Sequence, residues 1–139
     1  MIAVDTNVLV RILVDDPGQP TQVAAARRLA SQAKRVFVPL VVQVELVWVL
    51  ESGYRLDKDT VTGVLQRLEV NHAFALEDDA LCRNALTLYR SSNADYADCV
   101  ILARCRAGGL PLHTFDKRLG RLDGATMAHD PRSSPATDS

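Results

Sequence analysis

The sequence predicts an α/β fold, a mainly parallel sheet covered on both faces by helices. Three observations carry that expectation. Short apolar runs recur along the chain, separated by stretches of helical periodicity. Strands separated in this way need crossover connections, which are right-handed and leave neighbouring strands parallel. Two of the apolar runs also lead into a carboxylate, Asp5 and Asp116, and open parallel sheets gather their functional groups outside the carboxyl ends of strands.

The elements follow in order. Ile2 to Asp5 is a short strand, and Thr6 to Val14 continues at helical spacing until Asp15-Asp16-Pro17-Gly18 stops it. Pro20-Thr21 opens an alanine-rich helix to about Ala33, with Arg27, Arg28, Lys34 and Arg35 where cations favour a helix dipole. Val36 to Val38 is a second strand, and Pro39 marks the turn into a helix ending near Gly53. A helix from Asp57 to about Leu68 precedes a strand around Ala73 to Leu76. Glu77-Asp78-Asp79 then opens a helix that ends near Ser91-Ser92. Asn93 to Arg106 is the next helix, stopped by Gly108-Gly109. Leu112 to Phe115 is the fourth strand, and Ala125 to Ala128 is a weakly written fifth. Residues 1–130 read as one domain, and residues 131–139, polar and rich in Pro and Ser, as a frayed tail.

Composition narrows the function classes. A chain of 139 residues with 47% hydrophobic content holds one domain with a real core and is short for two. Its net charge of −1 supplies no global attraction to nucleic acid, so phosphate binding has to use local patches or metal ions. Cys82, Cys99 and Cys105 lie in helical patterns without metal-ligand spacing and read as reduced core residues of a cytosolic protein. Met1 leads directly into a strand, with none of the charged and apolar order of a signal peptide. The longest apolar stretch, Val36 to Leu50, is interrupted by Pro39, Gln43 and Glu45 and is too short to span a bilayer.

Glu45 is the most telling acid, because every neighbour from Leu40 to Leu50 except Gln43 is apolar. A helix apolar nearly all round is expected to be buried, and a buried carboxylate needs a cation or an arginine. The plain alternative is an ion pair or a rim position. Asp98 poses the same problem before the apolar run Cys99 to Ala103, and Asp95, three residues earlier, shares its helix face. Ser92-x-x-Asp95 also fits a capping box, so Asp95 has a structural explanation of its own. Asp5, Thr6 and Asn7 are each able to cap the helix that begins there. Capping does not explain why a second strand ends in Thr114-Phe115-Asp116. Gathering such carboxylates costs roughly 4 kcal/mol for each pair about 4 Å apart at an effective dielectric near 20. A bound cation or proton uptake relieves that cost. Oxygen donors without a Cys or His set favour Mg²⁺ or Mn²⁺ over Zn²⁺. His72, His113 and His129 form no motif, and no phosphate loop or nucleophile elbow is present.

In order and spacing these segments resemble the PIN domain family, and within it the VapC-type ribonuclease toxins of bacterial toxin–antitoxin pairs. The segments are Val4 to Leu9, the apolar helix carrying Glu45, Asp95 to Ala103, and Thr114 to Leu119, spread over residues 1 to about 128. The resemblance implies a three-layer α/β/α sandwich with a parallel sheet of four to five strands. It also implies Mg²⁺- or Mn²⁺-dependent hydrolysis of RNA, a cytoplasmic homodimer and an inhibitory antitoxin partner. By resemblance, Asp5, Glu45, Asp98 and Asp116 form an acidic metal-binding quartet with Asp95 as an accessory acid, and Thr6, Asn7 and Thr114 support metal and phosphate. Two departures stand out: Cys99 where alanine is common, and the weak fifth strand. Neither touches the acids.

Two rivals remain at this point: a non-catalytic interaction protein of the same fold, and a phosphatase or phosphotransfer domain using Asp5 as nucleophile. The second is disfavoured by Asn7, which stands where an aspartate two residues after Asp5 would suit that chemistry. A metal-dependent DNA nuclease lies close to the main reading. Arg27, Arg28, Lys34, Arg35, Arg104, Arg106, Lys117, Arg118 and Arg121 are candidates for phosphate contact and, equally, ordinary surface cations.

Overall fold

A computed structural model describes residues 1–128. The predicted tail, residues 131–139, and His129 lie outside the described residues. Strands β1 (Ile2–Ala3), β2 (Val36–Val38), β3 (Phe74–Leu76), β4 (Leu112–Thr114) and β5 (Ala125–Met127) alternate with helices α1 (Thr6–Leu13), α2 (Pro20–Ala33), α3 (Leu40–Trp48), α4 (Lys58–Val70), α5 (Asp79–Ser91), α6 (Tyr96–Ala107) and α7 (Lys117–Gly120). Every strand pairing is parallel, as crossover connections require, and the architecture is the α/β/α sandwich of the prediction.

The pairing differs from one continuous sheet. Hydrogen bonds divide the strands into β1-β2-β3 and β4-β5. The strands are two or three residues long, so each ladder holds two or three residue pairs, and the two residues of β1 pair with β2. Two helical details also depart from expectation. The helix expected to run to Gly53 changes at Val49 into a π-helical turn, Val49–Gly53. The four residues of α7 form a short helix that the sequence pattern did not predict.

Core packing places the helices that matter. Val36, Val38, Leu46, Leu50, Leu65 and Leu102 are fully enclosed in one cluster with Leu9 and Val10 of α1. Burying side chains of this size stabilises by about 1.5–3 kcal/mol each before entropy is counted. Pro39 precedes α3 and offers no side-chain cap. Glu77, just past β3, supplies it by accepting from Leu40 N at 3.1 Å. Gln43 is the buried polar residue of this core, and it accepts a hydrogen bond from the Cys82 thiol of α5. Burial pushes that thiol up to about 12, so it stays protonated. All three cysteines are free thiols.

A polar triangle ties the end of α1 to the end of the π-turn. Arg11 Nη1 donates to Tyr54 Oη at 2.8 Å and lies 3.4 Å from Asp16 Oδ2, while Tyr54 Oη donates to the same Asp16 oxygen at 3.0 Å. Arg11 Nε reaches Gln22 of α2. Among the described residues, no helix is long and apolar enough to cross a membrane.

Candidate functional site

The first wall of the site is the start of α1. Asp5 follows β1 at its carboxyl end and caps α1, accepting from Val8 N at 3.0 Å through Oδ1. Its other carboxylate oxygen makes no hydrogen bond among the described residues. Thr6, one residue on, donates its hydroxyl to Glu45 Oε1 at 3.0 Å, joining α1 to α3.

Glu45 corrects the burial argument. Its side chain is exposed, and its hydrogen-bond partner is a hydroxyl, with neither an arginine nor a lysine paired to it among the described residues. The reason lies in the phase of α3. Val42, Gln43, Leu46 and Val47 face the core, whereas Val41, Glu45 and Trp48 stand at intervals of four and three and share the open face. The apolar residues around Glu45 in sequence therefore do not surround it in space.

The third wall is the entry to α6. Asp95 is the N-cap residue by position, yet its side chain makes no capping bond. The capping-box reading of Ser92 and Asp95 fails because Ser92 belongs to the end of α5. Its hydroxyl donates to Leu88 O at 2.7 Å and accepts from Ala94 N at 3.3 Å. Tyr96, at the head of α6, is buried against Tyr89 edge to face, with centroids 5.6 Å apart. Tyr89 in turn donates to Glu51 of the π-turn at 2.8 Å.

These walls enclose an open cleft of about 840 Å³ whose lining includes Asp5, Thr6, Asn7, Glu45, Glu51 and Asp95, with Trp48, three valines, Tyr96 and Ala97 among its less polar residues. Neither Lys, Arg nor His is among its lining residues. Asp98 and Asp116 lie outside that lining. Burial pushes the Asp98 carboxyl up from its ordinary value, and the charges of Asp95 and then Asp116 add to the effect. Asp98 therefore joins the two through mutual repulsion. Asp116 caps α7, accepting from Arg118 N at 2.8 Å and Leu119 N at 3.2 Å, and Thr114 Oγ1 accepts from Asp116 N at 3.0 Å. The structure thus brings Asp5, Thr6, Asn7, Glu45 and Asp95 into one cleft, with Asp98 within electrostatic reach of both Asp95 and Asp116 and the Thr114 hydroxyl bonded to the Asp116 amide.

The donor chemistry fits a hard cation. Carboxylates and a hydroxyl supply all-oxygen ligands, and none of Asp5, Glu45, Asp95, Asp98 and Asp116 is in an ion pair among the described residues. The side chains as placed do not close into a ligand set: among the described residues no three of His, Cys, Asp and Glu group tightly enough to hold a metal ion. Glu51 and Trp48 are cleft residues that the sequence pattern did not single out. For Glu51 the reason is the π-turn, whose inserted residue shifts the helical phase in a way that regular spacing does not reveal. Trp48, still in the regular α3, is hidden by the apolar neighbours that make the whole helix read as buried.

The PIN domain family profile matches residues 2–125 of the chain. The chain is also similar to the VapC ribonuclease of Aquifex aeolicus (strain VF5), at 26% identity over 132 residues, covering 91% of this chain and 96% of that protein.

Proposed function

The chain belongs to the PIN domain family, and on that premise we propose that it is a metal-dependent endoribonuclease, the toxin of a bacterial toxin–antitoxin pair. The observation that carries this reading is the acidic cleft, where Asp5, Glu45 and Asp95 converge from three separate elements with Lys, Arg and His all missing from its lining. A cleft lined by carboxylates and by no cation suits a site for a divalent cation. The similarity to a VapC ribonuclease supports RNA as substrate and an antitoxin as partner.

Asp5, Glu45, Asp98 and Asp116 are the residues assigned to hold Mg²⁺ or Mn²⁺, with Asp95 accessory and Asn7 and Thr114 supporting. When bound, such a cation polarises a phosphate oxygen and lowers the pKa of water. The chain's own residues prepare the place. The Thr6 hydroxyl fixes one oxygen of Glu45 and leaves the other without a hydrogen bond among the described residues. The Val8 amide does the same for Asp5. A cytoplasmic homodimer held inactive by its antitoxin is part of the same reading.

Incubation of the purified protein with single-stranded RNA, with Mg²⁺, with Mn²⁺ and with chelator, tests the proposal. Internal cleavage that needs the cation and is lost in Asp5→Asn is expected. Intact RNA under every divalent condition would sink the reading. Expression alone should slow growth of a bacterial host, and equal growth with the parent and Asp5→Asn at matched soluble levels would count against a toxin.

A further inference from the structure

We propose that Trp48 is a stacking platform for a nucleobase of single-stranded RNA, holding the strand beside the acidic cleft. The proposal rests on the ribonuclease reading above and names how its substrate is gripped. Trp48 is 68% exposed, a costly state for the largest aromatic side chain, and lies three residues after Glu45 on the same open face of α3. The described residues expose one other aromatic as far, Phe115, which immediately precedes Asp116. Both exposed aromatics thus stand beside a member of the acid set.

The surroundings favour a base over a protein surface. A protein covering Trp48 would also strip water from Glu45, Glu51 and Asp95, which line the same cleft without a basic residue to compensate. A nucleotide brings a flat apolar face for the indole and leaves its sugar-phosphate edge wet. Affinity for RNA cannot rest on the net charge of −1 or on the cleft itself, which repels phosphate. Stacking supplies attraction that does not depend on charge. A path for the backbone adjoins the cleft: a recess lined by Lys58, Arg118, Asn93 and Tyr89 shares Glu51 and Asp95 with it. The π-turn directly after Trp48 supplies Val49, Glu51 and Ser52 to the cleft lining and so continues the wall that the indole begins. A duplex keeps its bases stacked internally and offers the indole no free face, so single strands are selected.

The chain contains one tryptophan, so its emission reports Trp48 alone. The test titrates the full chain, with chelator present, with a short single-stranded RNA of mixed sequence and with the same RNA annealed to its complement. Anisotropy of labelled RNA follows binding in parallel. A saturable change in emission with the single strand and little with the duplex is expected. Trp48→Ala should weaken binding on the order of 5- to 100-fold, and Trp48→Phe should restore most of it. In the cleavage assay Trp48→Ala should raise KM with kcat little changed. Unchanged emission on adding RNA overturns the proposal. So does a Trp48→Ala variant with parental affinity and KM, or one whose only effect is to turn a dimer into a monomer in sedimentation, which would make this face a contact between copies. A parent that cleaves no RNA with Mg²⁺ or Mn²⁺ fails the ribonuclease reading instead, and the emission titration still judges the stacking.

Discussion

The two faces of α3 are built from nearly the same residue types and do opposite things. The inner face, with Val42, Leu46 and Val47, is sealed into the core, and the outer face, with Val41 and Trp48 on either side of Glu45, stands open. What differs is the partner across from each. The inner residues meet the apolar cluster of the core, whereas Glu45 and Trp48 on the outer face line an open cleft. Hydrophobicity marks a residue as able to be buried, and the neighbouring element decides whether it is.

The comparison breaks most sharply on activity. Glu45→Gln keeps the shape of the outer face and removes its charge, so cleavage should fall on the order of 10²-fold or more, with little change in stability. A cleavage assay beside a thermal melt checks this, and a variant that cleaves like the parent takes Glu45 out of the site. On the inner face Leu46→Ala should cost about 2–5 kcal/mol in urea denaturation, because a fully enclosed side chain leaves a cavity. A loss well under that range would mean the two faces are less distinct than they look.

A smaller effect concerns Asp98, at the head of the helix facing this cleft. Its raised pKa means that the folded protein binds the proton more tightly than the unfolded chain. Ionised Asp98 is therefore a cost at neutral pH, relieved as pH falls through the raised folded value toward 3.8. With chelator present, Asp98→Asn should melt above the parent at pH 7, and the gap should close as the medium is acidified through that window. A variant that melts no higher removes the repulsion argument. Smallest of all, Trp48→Ala should change stability by roughly 0.5 kcal/mol or less, as for other exposed positions. A loss like that of Leu46→Ala would show the outer face to be covered.

Much of this was legible before the structure, and the reasons for the remainder are physical. Asp5 and Asp116 are legible as strand-end carboxylates because apolar runs mark the strands, and both cap the helices that come after them. Glu45 stands out in sequence through a burial argument that fails, since a helix apolar in sequence still has an open side, and the structure places it in the cleft lining. Asp95 looked like half of a capping box because Ser92 stands three residues earlier. The Ser92 hydroxyl instead bonds Leu88 O and Ala94 N, a choice of partner that residue spacing does not fix. Glu51 escapes the sequence pattern because helical periodicity assumes one pitch, and the π-turn changes it. Trp48 lies in the regular part of α3 and escapes it because a helix apolar nearly all round reads as buried on every side. The split of the strands into two sheets depends on ladders of two or three residue pairs, below what any sequence pattern specifies.

The triangle of Arg11, Tyr54 and Asp16 has a consequence for how this mouth handles an incoming guest. It fastens the end of the helix that begins at Asp5 to the turn that comes after Glu45, so the gap between those two acids is set during folding and not on the guest's arrival. A preformed aperture selects by fit and avoids the ordering cost of closing around its cargo. The clamp is also indifferent to acidity over the working range. Burial, aided by the Asp16 hydrogen bond, holds the Tyr54 phenol above its ordinary value, so its proton stays in place and the gauge of the opening stays constant through neutral pH.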